Sequence, residues 1–335
     1  MKIVFLTTAH NSLSQRAYVE LVDRGHTVIV AIASSAEVMI EAVNREHPDL
    51  IVAPMLKKVI PASIWQTHPC IIIHPGIKGD RGPSSLDWAI LNAYEEWGVT
   101  LLQANAEMDA GPIWAARTFA MRAGSKSDLY RHEVTEAAIQ GLLETIAKVE
   151  SHTFLPEPLD YGKEEVKGRL QAPMKQADRA IDWRESTASV LKKIRCADSF
   201  PGVLDTVLGM PCYLYGAHAE GVLKGVPGEI LATRDGAICR ATGDGAVWIT
   251  YVSYSIPQGR SLYPNSTAVL HTSSGVQLCS HGPIHQGVLT RRPFSPSLAG
   301  QEAFASRYSV LPPGQHAAYM PVLCVACKGT ARADR

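Results

Sequence analysis

The chain has 335 residues, 32 basic and 32 acidic side chains, and a hydrophobic fraction of 46%, enough for two ordinary domains or one with an extension. A zero charge balance offers no broad field to a polyanion, which weighs against nucleic acid as a partner. No apolar run approaches the roughly 20 residues of a membrane helix, so no membrane partner is expected either.

The first ten residues, MKIVFLTTAH, have too short an apolar part for a signal peptide and read as a first strand at 3–6. Residues 12–23 are helix-like, with Ser12 or Ser14 as N-cap. A strand at 28–33, a helix at 36–45 and a strand at 50–53 follow, then a helical turn at 60–65. Residues 71–73, three isoleucines, are a strand buried on both faces, as in a parallel sheet. A helix at 84–94, a strand at 99–103 and an antiparallel strand at 113–120 come next, the last because its connection is too short for a crossover. A long helix over 127–149 carries the apolar stripe Val134, Ala138, Leu142, Ile146 and Val149. This alternation predicts an α/β fold over 1–153, a doubly wound and mostly parallel Rossmann-like sheet with an antiparallel edge.

Residues 154–180 carry Pro156, Pro158 and Pro173 and little periodicity, and read as a linker. Over 181–260 a helix at 187–196 precedes short strand patterns near 212–215, 228–232, 237–242 and 246–252, a small β-barrel or sandwich. Residues 261–335 hold two acidic and six basic residues amid Ser, Pro, Gly and His. They are expected to be largely irregular, and a truncated or altered-frame remnant is one reading of them. Seven cysteines at irregular spacing form no disulfide framework, and the expected compartment is the cytoplasm. No metal is expected. Cys324 and Cys327 make one CxxC pair where zinc needs about four ligands, and Pro283 between His281 and His285 breaks helical ligand spacing.

The chemistry concentrates at CIIIHPGIKGDRG, beginning at Cys70. An apolar strand delivers His74 into a Pro/Gly loop, at the carboxyl edge where open α/β sheets bind ligands. Imidazole titrates near neutrality, at about 6.5 when unperturbed. Asp109, in EMDAG after the next apolar run, is expected on the same lip, and the two form a candidate acid–base pair. Gly76, Gly79 and Gly82 open no helix, so they read as a turn rather than a phosphate cradle.

His74-Pro75, Arg81-Gly82, the WAI of 88–90, the GVT of 98–100, Gln103 and the MDAG of 108–111 resemble the core of the folate-dependent formyltransferases. The IDW of 181–183 and the PGEI of 227–230 are similar to the small carboxyl-terminal barrel of methionyl-tRNA formyltransferases. Within that family NSLSQR at 11–16, the loop at 74–83 and LYRHEV at 129–134 look like the amino-terminal half of the HypX (HoxX) hydrogenase maturation proteins. The resemblance covers residues 1–252.

It implies transfer of a formyl group from 10-formyltetrahydrofolate to a thiol, coenzyme A or a pantetheine arm, in supplying the carbon monoxide ligand of NiFe hydrogenase. The residues after 252 are too few for the crotonase-like half of those proteins, so the chain is expected not to complete the sequence alone. By the resemblance His74 is the acid–base, Met55, Leu56 and Met108 match positions near the pterin pocket, and Gly111 is a further cofactor contact; Asp109 orients His74, raises its pKa by opposite charge, or holds a water that relays the proton. Arg16 and Arg131 are phosphate or carboxylate contacts for coenzyme A or the folate glutamate. The family pattern has Asn where this chain has Ile72, which cannot donate to an oxyanion. Gln15, Asn11, Gln103 or backbone N–H groups near Gly111 are the candidates to replace it, with Gln15 preferred because it follows the first strand on the same edge. The alternatives are a methionyl-tRNA or amino-sugar formyltransferase, and a non-catalytic scaffold that binds folate or other maturation proteins.

Overall fold

The structure, a computed structural model, describes residues 1–254 and the two-residue strand Ser309–Val310. His281, His285, Cys324 and Cys327 therefore lie outside the described residues, as does nearly all of the tail expected to be irregular. The first unit is a six-stranded sheet in the order β2-β1-β3-β4-β5-β6. Its strands are β1 (Lys2–Thr7), β2 (Thr27–Ile32), β3 (Leu50–Ala53), β4 (Cys70–His74), β5 (Glu96–Gln103) and β6 (Ile113–Ala120). β1 to β4 pair in parallel.

Alternating side chains feed two cores, because successive residues of a strand face opposite ways. Phe5, Val52, Ile71 and Ile73 pack beneath α1 (Ser12–Val22), α4 (Ser85–Leu91) and the long helix α6 (Thr135–Ser151). Val4, Leu6, Ile51 and Cys70 pack beneath α2 (Ala36–Glu46) and α3 (Ala62–Trp65). The predicted stripe on the long helix is real: Val134, Ala138, Leu142 and Ile146 are buried, each large aliphatic one contributing about 1.5–3 kcal/mol. The run from 126 is not uniform. α5 (Lys126–Leu129) gives way to a π turn, Tyr130–Val134, before α6 begins. The N-cap of α1 is Asn11, whose side chain accepts from the Ser14 N–H, rather than Ser12 or Ser14.

One strand departs from the expected direction. β5 runs antiparallel to β4, with His74 opposite Thr100 and Ile71 opposite Gln103. The cause is α4. At 7 residues it spans only about 10 Å, so the chain does not travel back to the amino edge before the next strand starts. β5 therefore begins at the His74 end and finishes at the opposite one.

The second unit is antiparallel: β7 (Val203–Val207), β8 (Met210–Glu220), β9 (Ile230–Arg234), β10 (Ala237–Ala241) and β11 (Ala246–Tyr254), in the order β9-β10-β11-β8-β7. The expected barrel is not closed. Closure requires β7 to pair with β9, whereas β7 bonds to β8 and the outer edge of β9 takes Ser309–Val310. Helix α7 (Thr187–Ala197) covers one face through Val190, Leu191 and Ile194.

α7 also packs on α4, joining the units. Lys126 Nζ donates across this junction to Asp87 at 3.1 Å and to the Phe200 carbonyl at 2.8 Å. No helix among the described residues is long and apolar enough to cross a membrane.

Residues 154–180 hold one short 3-10 turn, Ala177–Arg179, yet they are tied to the loop after β4 by backbone bonds. Gly168 N donates to Lys78 O at 2.9 Å, Arg81 N to Arg169 O at 3.2 Å, and Gln171 N to Arg81 O at 2.9 Å. The Trp88 indole donates to Ala172 O at 2.9 Å. The segment is a strap laid across the His74 loop.

Candidate active site

His74 ends β4 with its ring almost fully buried. Its Nε2 lies 2.8 Å from Asp80 Oδ2, and its Nδ1 lies 3.5 Å from Asp109 Oδ2. The two predicted residues thus converge, but not by the predicted route. Because β5 is reversed, its carboxyl end lies beside the start of β4, and the loop 104–112 must double back to bring Asp109 to His74.

Two features fix that return. Gly111 packs so tightly on Gln103 that a Cβ there would lie 1.7 Å from the Gln103 carbonyl oxygen. Asp109 adopts φ 51°, the left-handed region that Asp tolerates better than most residues. Its Oδ2 also accepts from the Gly82 N–H at 3.1 Å, and Arg81 Nε donates to the Met108 carbonyl at 2.7 Å, so the two loops are stitched together.

Asp80 is the residue that sequence reading missed. It is 1% exposed, and its second carboxylate oxygen faces Gln171 Nε2 of the strap at 3.4 Å. The available signal was a carboxylate six residues after the histidine, in a loop too rich in glycine to form a helix. Nothing in the periodicity announces that such a loop folds back on its own strand.

Ile72 shares a strand face with His74, is half-buried and packs towards the α2–α3 core. None of the side chains considered as its replacement is hydrogen-bonded to His74 or Asp109. Gln15 is exposed and donates to the His10 carbonyl at 2.9 Å. Asn11 is occupied as the α1 cap. Gln103 accepts from the Trp114 indole at 3.1 Å and lies opposite Ile71, hence on the other face of the sheet.

Met55 and Leu56, after β3, are half-buried on the same edge, and the Met55 carbonyl accepts from Thr7 Oγ1 at 2.9 Å. Met108 is 55% exposed. Arg16 pairs with Glu136 at 3.0 Å, and Arg131, exposed on the π turn, lies 3.4 Å from Ser127 Oγ. Asn11 also bonds the Tyr130 side chain, so Asn11, Arg16 and the turn bearing Arg131 form one wall.

The cysteines among the described residues offer no alternative nucleophile. Cys70, Cys196, Cys212 and Cys239 are all buried. Burial pushes the thiols of Cys70, Cys196 and Cys239 up to about 12 and that of Cys212 to about 11, leaving almost no thiolate at neutral pH.

A mostly parallel sheet with a buried histidine at the carboxyl edge of its parallel strands, followed by an antiparallel unit, matches one family along most of the described chain. The formyl transferase model matches residues 1–146, and the model of the formyl transferase C-terminal domain matches residues 173–260. The chain belongs to the formyl transferase family.

Hydrogenase maturation factor HoxX from Bradyrhizobium diazoefficiens is 45% identical over 263 residues, which are 78% of this chain and 46% of that protein. A crystal structure of HypX from Aquifex aeolicus in complex with tetrahydrofolic acid superposes with a TM-score of 0.72 at 45% identity, covering 75% of this chain and 44% of the other. Methionyl-tRNA formyltransferase from Roseiflexus castenholzii is 30% identical over 186 residues, 55% of this chain and 57% of that enzyme. The chain spans about half the length of the curated relatives it matches.

Proposed function

We propose that this chain is a folate-dependent formyltransferase of hydrogenase maturation, taking its formyl group from 10-formyltetrahydrofolate and passing it to a thiol acceptor such as coenzyme A. The observation that carries the reading is the imidazole of His74 held between Asp80 and Asp109 on the carboxyl edge of the sheet. Its support is the 45% identity to a protein crystallised with tetrahydrofolic acid.

In this reading the acceptor sulfur attacks the formyl carbon and an oxyanion develops. The C–N bond to the folate amine then breaks, and the proton lost by the thiol reaches that amine through His74. The step is acyl transfer with no change in oxidation state. A neutral imidazole carries one N–H and one lone pair. The 2.8 Å contact to Asp80 takes the N–H at Nε2 and leaves Nδ1 as the base. Asp109, 3.5 Å from Nδ1, stabilises the positive charge that forms on the ring when Nδ1 takes the proton. Positioned acid–base groups of this kind give about 10²–10⁴ in rate.

Met55, Leu56, Met108 and Gly111 are assigned to the pterin side, while Arg16 and Arg131 are assigned to phosphate or the folate glutamate. Arg16 must then exchange Glu136 for the ligand, a small cost for an exposed pair. Ile72 supplies no oxyanion donor, so backbone N–H groups of the 104–112 loop are assigned that role.

The test is incubation of the full chain with 10-formyltetrahydrofolate, with and without coenzyme A, following tetrahydrofolate release. Release that requires coenzyme A supports the reading. Formylation of methionyl-tRNA or an amino sugar instead would replace the acceptor, and folate binding without turnover would make the chain a scaffold.

A further inference from the structure

We infer that Asp80 is a positioning residue that sets the tautomer of His74, committing Nδ1 to the reacting side. The inference deepens the proposed function and rests on His74 being its acid–base. Three observations carry it.

The first is the contact itself. Asp80 is 1% exposed, and its Oδ2 meets His74 Nε2 at 2.8 Å, whereas Asp109 stands off at 3.5 Å from Nδ1. With one proton to place, the ring places it on the side of the shorter, more buried bond, because a buried carboxylate without a donor is the costlier loss. Among the described residues no lysine or arginine pairs with Asp80, so the imidazole N–H is its close donor.

The second is the space around the contact. A Cβ on Gly76 would lie 2.3 Å from Asp80 Oδ2 and 2.5 Å from His74 Nε2. Glycine at 76 is what allows the two groups to touch.

The third is the strap. A Cβ on Gly168 would lie 1.9 Å from the Asp80 backbone nitrogen, and Gln171 Nε2 faces the other carboxylate oxygen at 3.4 Å. This part of the strap, Gly168 and Gln171, lies between the stretches matched by the family models, 1–146 and 173–260; it presses the Asp80 backbone into place and holds its side chain from behind. A carboxylate needed only to fill a turn requires neither restraint.

The test is 15N NMR of the full chain labelled in its histidine side chains, at a pH where the ring is neutral, with His74 assigned by its absence in His74→Gln. The expected result is a proton on Nε2 in the parent chain. In Asp80→Asn the amide can donate to Nε2, so the proton moves to Nδ1, facing Asp109. In the formyl-transfer assay the same variant is expected to lose about 10²–10⁴ in kcat with little change in KM for 10-formyltetrahydrofolate. A proton on Nδ1 in the parent, or a tautomer unchanged by Asp80→Asn, overturns the inference. The parent measurement decides even if the variant fails to fold. The tautomer shift supports the inference even if neither chain turns over folate, a result that would overturn only the proposed function.

Discussion

The loop that carries His74 and the wall that carries Arg16 and Arg131 lie on the same edge of one sheet and are built in opposite ways. The loop is buried and over-determined. His74 touches two carboxylates, one of which is held by the strap, and Gly76, Gly82, Gly111 and Gly168 approach neighbouring atoms more closely than any side chain allows. The wall is exposed, and its cations meet glutamate or hydroxyl partners at the surface. Groups that must act on a bond within tenths of an ångström are fixed by packing. Groups that recognise a charged ligand stay hydrated and can exchange partners at little cost.

The largest effect expected is at the centre of the buried region. His74→Ala should lower formyl transfer by at least about 10²–10⁴ and, by leaving the buried Asp80 carboxylate without its donor, cost about 1–3 kcal/mol of stability; steady-state kinetics beside calorimetry check both, and undiminished turnover would break the comparison. Ile72→Asn restores the donor of the family pattern on the face that His74 shares. It should raise kcat, by up to about 10²–10³, unless backbone donors already suffice. An unchanged kcat would mean that they do.

Gly111→Ala forces a Cβ towards the Gln103 carbonyl. It should destabilise the fold by about 1–3 kcal/mol and displace Asp109, seen as a lowered midpoint in urea together with lost activity. Arg131→Ala should weaken binding of a phosphate-bearing acceptor several-fold, within about 1 kcal/mol, with kcat and stability unaffected. A collapse of kcat would move Arg131 from the wall to the centre.

The smallest effect concerns an exposed pair elsewhere. Hydrogen bonds from the Arg184 side chain and backbone lower the Asp182 carboxyl from its ordinary 3.8 to about 2. Between those values the unfolded chain binds the extra proton. The contribution is therefore complete above about pH 3.8 and lost as pH falls towards about 2. Asp182→Asn should flatten that limb of the acid-unfolding curve slightly and change nothing at pH 7.

The same contrast explains what could be read from the residues alone. The strands, the helix stripe through Leu142 and the placement of a histidine loop at a carboxyl edge follow from apolar periodicity and Pro/Gly punctuation, which are local. The reversal of β5 was not legible, because a strand has the same period in either direction. Asp80 and the strap were not legible for the related reason that they act through backbone contacts and the absence of side chains. Gly168 against Asp80 N leaves no periodic trace in the sequence. His74 and Asp109 do lie side by side, but not through the expected strand direction; the return of the 104–112 loop brings them together.

The central claim is that a folate one-carbon donor binds with its reacting nitrogen against His74. A crystal of this chain soaked with a stable analogue of 10-formyltetrahydrofolate tests it directly. The account predicts the formyl-bearing nitrogen within hydrogen-bond reach of His74 Nδ1, on the side of Ile72 and Asp109, with the pterin towards Met55 and Leu56. An analogue bound elsewhere, or one that leaves Nδ1 facing only protein, would contradict it.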